Sequence, residues 1–263
     1  MRPLEHPDER RLVTIPISHY CEKARWALDR AGLDYVEERH VQVLHRRAVR
    51  RLGGAETCPV LATPEGVFAD SRAIVFYADA GCEPDQRLYP PDPGDRAAVL
   101  ALEERWDTLL GPEGRLWMYF QTLTLPEAFA RFNLTGVPDL ERRAWPLLFR
   151  VMTPMVKRHL GVSASSAARA ERNVDAELDA AAAMLEDGRP FLTGDRFTAA
   201  DLTFAALCAP LVVPPQYGVP LPQPEDMPEA MARRVRGWRE RPAGAFALRM
   251  FATQRTRPAG DRA

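Results

Sequence analysis

Two hydrophobic periods stand side by side near the start of the chain. Leu12-Val-Thr-Ile-Pro-Ile17 is a short, β-branched apolar run, the pattern of a buried strand. Pro16 stands near its end, where a ladder N–H can be spared. From Ser18 the period lengthens. Cys21, Ala24, Leu28 and Ala31 recur at three- and four-residue steps and mark one face of a helix. Ser18 is placed to be its N-cap, Glu22 lies in the first turn, and Gly32 supplies the terminating glycine. Tyr35 to Val43 predicts a second strand, although its alternation is poor. Strand, helix and strand within about thirty residues make a βαβ unit, so the two strands are expected to be parallel. His45 to Arg51 reads as a short irregular helix. Pro59-Val-Leu-Ala-Thr63 and Val67-Phe-Ala69 flank the turn sequence Pro64-Glu-Gly66 and predict an antiparallel hairpin. Ser71 to Ala80, apolar at 74, 75, 77 and 78, predicts a closing helix.

The order βαβ then ββα is that of the thioredoxin fold, and beyond it the pattern turns helical. Asp95 to Leu110 sets Val99, Leu102, Trp106, Leu109 and Leu110 on a helical face. Gly111-Pro-Glu-Gly114 is expected to interrupt it, and Leu116 to Phe120 to start another apolar helix. Residues 139–160 read as a helix disturbed at Pro146 and Pro154. Val174, Leu178, Ala181 and Leu185 mark a further amphipathic helix. In Phe197-Thr-Ala-Ala-Asp-Leu202, Thr198 can cap the N–H of Asp201 while the Asp201 carboxylate reaches back to the N–H of Thr198. Phe197 and Leu202 fit a hydrophobic staple around that box. The expected fold class is an α/β N-terminal thioredoxin-like domain followed by an all-α C-terminal domain.

Proline shows where the chain divides. It supplies 24 of 263 residues, against an average usage of about 5%. Four stand at 84, 90, 91 and 93, and seven lie between Pro210 and Pro228. The first group predicts a linker over 84–94, between a domain at 1–83 and a larger one at 95–263. The second predicts a long ordered loop.

A composition of 46% hydrophobic and 27% charged residues excludes a disordered chain. A net charge of −1 argues against bulk attraction to nucleic acid or to an anionic membrane. Met1 to Arg11 lacks the apolar core of a signal peptide, and the longest apolar run, Phe204 to Val213, is broken by Pro210. Cysteines 21, 58, 82 and 208 form neither a CxxC pair nor zinc-ligand spacing, so no metal is expected. Free thiols without a signal peptide predict a reducing, cytoplasmic location.

Ser18-His-Tyr-Cys21, followed by Lys23-Ala-Arg-Trp-Ala-Leu28 and Gly32-Leu33, resembles the opening of the glutathione S-transferase family. Thr57-Cys-Pro-Val-Leu61 and Ala69-Asp-Ser-Arg-Ala-Ile74 resemble that family's glutathione-binding segments, in the same order and spacing. The resemblance implies glutathione as co-substrate, no metal, a small hydrophobic electrophile bound largely by the second domain, detoxifying conjugation and a homodimer. It assigns the catalytic hydroxyl of a serine-type site to Ser18 and a cis peptide bond to Pro59. Cys58 would then pair through its backbone with the cysteinyl part of glutathione. Ser71 would hold the γ-glutamyl carboxylate at a helix start, with Asp70 beside the ammonium.

The chemistry asked of Ser18 is definite. A free thiol has a pKa near 8.5, so only a few per cent is thiolate at neutral pH. A hydroxyl donor at the positive end of a helix favours the anion, and lowering the pKa by two units takes about 2.7 kcal/mol. Ser18 read without the other blocks is simply an N-cap. Where many relatives carry an Asn-Pro-x-Gly-Lys-like stretch, this chain reads Leu52-Gly-Gly-Ala-Glu-Thr57. The missing lysine leaves the glycyl carboxylate without its usual partner. His45, Arg46 or Arg47 could substitute, although a solvated basic helix face is the expectation. Cys58 is open to two readings, a small apolar filler or a thiol that forms a mixed disulfide with glutathione. The second gives an alternative activity, glutathione-dependent thiol–disulfide exchange. A transferase-fold binding or scaffold protein without turnover is the reading from another class. Cys21 shares the apolar face with Ala24 and Leu28 and is expected in the core. Tyr20 could line a pocket, Arg25 is expected to form structural ion pairs, and Trp106, Trp117, Tyr119 and Phe120 are expected chiefly to pack.

Overall fold

The computed structural model describes residues 9–54 and 56–255. Only the last residues of the Met1–Arg11 segment fall inside that range, and Ala55 of the altered 52–57 stretch falls outside it.

Seven elements build the first layer: β1 (Arg11–Thr14), α1 (His19–Arg30), β2 (Val36–Arg39), α2 (His45–Arg51), β3 (Val60–Thr63), β4 (Gly66–Phe68) and α3 (Ser71–Ala80). The sheet order is β2-β1-β3-β4, with β1 parallel to β2 and antiparallel to β3, and β4 antiparallel to β3. Leu12 faces Leu61 in register, and both are wholly buried against α1 and α3. The second strand is shorter than the expected 35–43. Glu37 accepts from Thr14 Oγ1 and Arg25, and Glu38 accepts from Arg11, so these side chains serve ion pairs instead of covering a core. Past Arg39 the backbone turns, and Val43 adopts a left-handed φ of 75°.

Among the described residues eight α-helices follow: α4 (Pro93–Thr108), α5 (Leu110–Thr122), α6 (Pro126–Asn133), α7 (Asp139–Leu160), α8 (Ala164–Met184), α9 (Ala199–Val212), α10 (Glu229–Glu240) and α11 (Pro242–Gln254). Every residue of α9 is buried, most of them apolar, and the helix forms the centre of the bundle. No helix among the described residues is long and apolar enough to cross a membrane.

Proline and glycine mislead at three places. Gly111-Pro-Glu-Gly114 does not break the chain but forms the first turns of α5. Pro112 sits in the first turn, where its missing N–H has no intrahelical partner to lose. Gly111 is required there because a Cβ would come 2.2 Å from the Tyr20 hydroxyl of α1. Pro146 and Pro154 both lie inside α7, which runs on unbroken. Trp145, Phe149 and Met152 on that helix pack with Val41 and Phe129 in a second apolar cluster, which offsets the lost backbone bonds. Pro210 likewise lies inside α9.

The capping box at α9 forms, and it does more than cap. The Asp201 carboxylate accepts from the N–H and hydroxyl of Thr198 and from the N–H of Leu192, each at 2.8 Å. Substituting Asp201 breaks the box and leaves the N–H groups of Thr198 and Leu192 unmet. A cap alone is worth about 0.5–2 kcal/mol, and each orphaned donor adds to that. Asp201→Ala is expected to cost about 2–3 kcal/mol in urea unfolding, with kcat unchanged in the folded fraction. A kinetic defect in equally stable protein would contradict a structural role.

A carboxylate also docks α7 onto the end of β2. Glu141 accepts from His40 Nδ1 at 2.6 Å and from the N–H of Val41 at 2.9 Å. Burial works against the His40 cation, but Glu141 and Glu38 outweigh it and raise its pKa to about 9. Because the folded pKa lies above the unfolded one, this stabilisation is full below about pH 6.5 and is lost as pH rises through about 9. His40→Ala should therefore lower Tm clearly near pH 6, and the gap from wild type should close near pH 10. A gap that does not change with pH would show that His40 is neutral in the fold.

Candidate functional site

Ser18 caps α1 from an extended conformation. Its Oγ accepts from the N–H of Cys21 at 3.4 Å, and its own C=O accepts the first helical bond from Glu22. A hydroxyl has one donor and two acceptor positions. Capping occupies an acceptor and leaves the O–H free to donate, so the N-cap role and the thiol-activating role are compatible. The residue is only partly buried and lines a cavity of about 550 Å³.

Its neighbours leave little competition for that task. His19 is buried, with Nε2 3.1 Å from the carbonyl of Gly111. Burial, and then the charge of Arg115, push its pKa down to about 3, so it is a neutral donor to that carbonyl. Tyr20 lines the cavity, as sequence reasoning allowed, but its hydroxyl donates to the carbonyl of Asp107 at 2.8 Å. Burial pushes its pKa up, which excludes a phenolate near neutral pH.

Cys58 also lines the cavity, and the Cys58–Pro59 peptide bond is cis. The neighbouring Cys21, followed by burial, pushes the Cys58 thiol well above the ordinary thiol range. Cys21 moves the other way. Burial raises it, but Cys58, the Arg25 guanidinium, Ser18 and the N–H of Ile15 outweigh burial and bring it down. Cys21 is nevertheless fully buried, as the apolar helix face predicted.

The remaining expected site residues lie apart. Pro59 is buried behind Cys58, and neither it nor Asp70 nor Ser71 lines the cavity. Asp70 is the N-cap of α3, accepting from the N–H of Ala73 at 2.8 Å, and Ser71 is the buried first residue of that helix. The basic helix α2 is not simply a solvated face. His45 is buried with Nε2 3.1 Å from the carbonyl of Glu56, and both His45 and Arg46 line the cavity while Arg47 is exposed. Arg25 pairs with Glu37 and Glu22, the structural role expected of it. Trp106 and Trp117 are core residues, and Tyr119 alone of that aromatic group reaches the cavity. The apolar wall comes mostly from the helical part, including Met118, Phe129, Phe132 and Tyr217. Arg115, absent from the expectations, lines it too. No group of three or more His, Cys, Asp or Glu able to hold a metal occurs among the described residues.

Comparison with known proteins agrees with this architecture. Residues 12–84 match the family model of the glutathione S-transferase N-terminal domain, and residues 164–241 match that of its C-terminal domain. Together they span more than half of the chain. No curated protein sequence matches. Among solved structures, a glutathione S-transferase from Rhodospirillum rubrum F11 is 21% identical, with a TM-score of 0.60 over 95% of this chain and 89% of that one. Glutathione transferase GSTFuA3 from Phanerochaete chrysosporium is 21% identical, with a TM-score of 0.62 over 94% and 97%. A theta class glutathione S-transferase from Xanthomonas axonopodis pv. citri, solved with glutathione bound, is 21% identical with a TM-score of 0.53 over 92% and 97%. At these identities the likeness speaks for the fold, and the two domain matches speak for descent. The chain belongs to the glutathione S-transferase family.

Proposed function

We propose that the protein is a cytoplasmic, homodimeric glutathione transferase of the serine type, conjugating glutathione to a hydrophobic electrophile. The observation that carries this reading is the Ser18 hydroxyl, free to donate at the start of α1 and opening onto the apolar cavity. The thiol of glutathione would lie against that hydroxyl, where the O–H and the helix dipole favour its anion. The thiolate then attacks the electrophile held against the wall supplied by the helices.

Glutathione itself would run along the edge beside the cis peptide bond, with the backbone N–H and C=O of Cys58 pairing with its cysteinyl unit. Ser71 and the N-terminus of α3 would receive the γ-glutamyl carboxylate, with Asp70 toward the ammonium. In place of the missing lysine, Arg46 would meet the glycyl carboxylate, a reading supported by its reaching the cavity from α2. No metal enters this scheme.

Two measurements separate the readings. Calorimetric binding of glutathione followed by conjugation of chlorodinitrobenzene supports a transferase. Binding without conjugation would favour a scaffold, and no binding would reject the shared premise. Thiol–disulfide exchange through Cys58 draws support from its place in the cavity wall, but its raised pKa makes it a poor attacking thiol. Mass spectrometry after treatment with oxidised glutathione should find no adduct on Cys58, and a stoichiometric adduct would restore the exchange reading.

A further inference from the structure

Arg115 reaches the cavity from α5 and has no counter-ion there. Its Nε is buried without a hydrogen-bond partner, and no carboxylate among the described residues pairs with its guanidinium. Its guanidinium lies 6.0 Å from the centroid of the Tyr20 ring, at the outer limit of a cation–π interaction, and its charge also faces His19. Other arginines of this region are satisfied. Arg105 holds Glu177 at 2.7 Å, and Arg131 holds Asp226 at 3.2 Å.

The acidic side chains of the lining are Glu56 and Asp226, and neither is available to Arg115. Glu56 faces Arg50 and Arg46, and Asp226 faces Arg131 while accepting from the N–H of Gln223. The cavity therefore combines apolar walls with an uncompensated cation. A guanidinium held partly out of water without a partner is unfavourable unless something supplies the anion.

Its position relative to Ser18 follows from the helix. Gly111 and Arg115 are four residues apart and share one face of α5. The carbonyl of Gly111 touches His19, the residue after Ser18. Arg115 thus stands about 5–6 Å, one helical turn, along α5 from the point where that helix meets the start of α1.

We propose that Arg115 is the anion-binding, specificity-determining residue for the second substrate, and that the preferred electrophile is an apolar, ring-sized molecule bearing a carboxylate. The planar guanidinium can take both carboxylate oxygens, while Met118, Tyr119 and Phe129 cover the apolar body. This rests on the transferase reading above. Chlorodinitrobenzoate represents the class. The thiolate sulfur attacks the ring carbon that carries chlorine, the C–S bond forms, the C–Cl bond breaks, and chloride leaves with its electron pair. The thiol proton passes to water. The carboxylate takes no part in bond change, and its capture fixes which end of the ring faces the sulfur.

Binding can be tested without turnover by using compounds that have no leaving group. Calorimetry should show dinitrobenzoate binding wild type at least about tenfold more tightly than dinitrobenzene, because only the carboxylate can accept charge-assisted hydrogen bonds from the guanidinium. Arg115→Met should abolish that preference, and Arg115→Lys should restore part of it. Arg115→Met should also unfold at the wild-type temperature or above, because it removes an unpaired cation and keeps the apolar stem. Equal binding of the two probes by wild type, or a preference that survives Arg115→Met, would overturn the proposal. So would a loss of glutathione affinity in Arg115→Met as large as the loss for dinitrobenzoate, which would assign the cation to the tripeptide. Failure of the transferase reading would look different, with probe preference intact but no conjugation of chlorodinitrobenzoate.

Discussion

Ser18→Ala is expected to lower kcat/KM for conjugation by about tenfold to a hundredfold near neutral pH, with KM for glutathione little changed. The bound thiol must be anionic to react, and the fraction ionised is set by how far the site lowers its pKa from about 8.5. A shift of two units corresponds to about 2.7 kcal/mol, a load of the size measured when one oxyanion donor is removed from other enzymes. The substitution takes away the O–H donor and leaves the helix dipole, so part of the shift should remain. The pH profile is the discriminating measurement. Wild type should reach its plateau near neutral pH, whereas the variant should keep rising toward pH 8.5 and approach wild type only there.

Two effects must be kept apart in that experiment. Ser18 is also the N-cap of α1, so its loss should cost about 1 kcal/mol of stability whatever its chemistry. Ser18→Thr keeps both the cap and the hydroxyl and should keep most of the activity. Ser18→Asn keeps a cap but brings no O–H, and should be stable yet slow. A Ser18→Ala variant with an unaltered pH profile would move the activating role to another group. Cys21 is the nearest other thiolate former, and its full burial removes it from contact with substrate.

The parts of the molecule legible in the sequence were those fixed by local rules. The strand–helix switch at Ser18, the hairpin around Pro64 and the box at Thr198 each depend on residues within a few positions of one another. The cis bond at Pro59 is a feature that only the family resemblance pointed to. What escaped were features decided by residues distant in sequence. Gly111 looks like a breaker until Tyr20 is placed against it, and Pro146 looks like a kink until Trp145 and Phe149 are seen packed on Phe129. Arg115 is one arginine among many in an arginine-rich chain, and no pattern marks it. Its distinction lies in the missing partner, which becomes visible only when every nearby carboxylate has been assigned. His45 and Arg46 show the same difficulty. Their turn of helix reads as basic and solvated, and only the packing of α2 on the site turns two of its three leading side chains inward.

Arg255→Ala is expected to be the most destabilising of these substitutions, at about 3–5 kcal/mol. The arginine follows α11 at the far end of the chain, yet its side chain is wholly buried against α1. Its Nε donates to Glu22 at 2.8 Å and its Nη1 to Asp29 at 2.6 Å, both of them buried carboxylates on the helix that carries Ser18. Trp26 of the same helix donates to the carbonyl of Gln254 at 3.2 Å, so the two segments are locked by charge and by backbone. Removing the guanidinium leaves Glu22 with Arg25 and the N–H of Gly218, and it takes from Asp29 the cation held at 2.6 Å while the Tyr35 hydroxyl still donates to that carboxylate. Removing one member of a buried ion pair costs more than the pair contributed. For a chain of this size about 2–4 °C accompanies each kcal/mol, so Tm should fall by about 10 °C or more. The companion variant makes the argument specific. Adding Asp29→Asn to Arg255→Met removes both charges together, and it should recover more than half of the lost stability although it deletes one more native contact. If Arg255→Ala instead loses less than about 0.5 kcal/mol, in the range of an ordinary surface substitution, the C-terminal arginine does not clamp α1 in solution. Because Glu22 lies in the first turn behind Ser18, the same clamp orients the helix start that the proposed chemistry needs. Residual conjugation by Arg255→Ala at low temperature should therefore show a raised KM for glutathione even where the protein is fully folded.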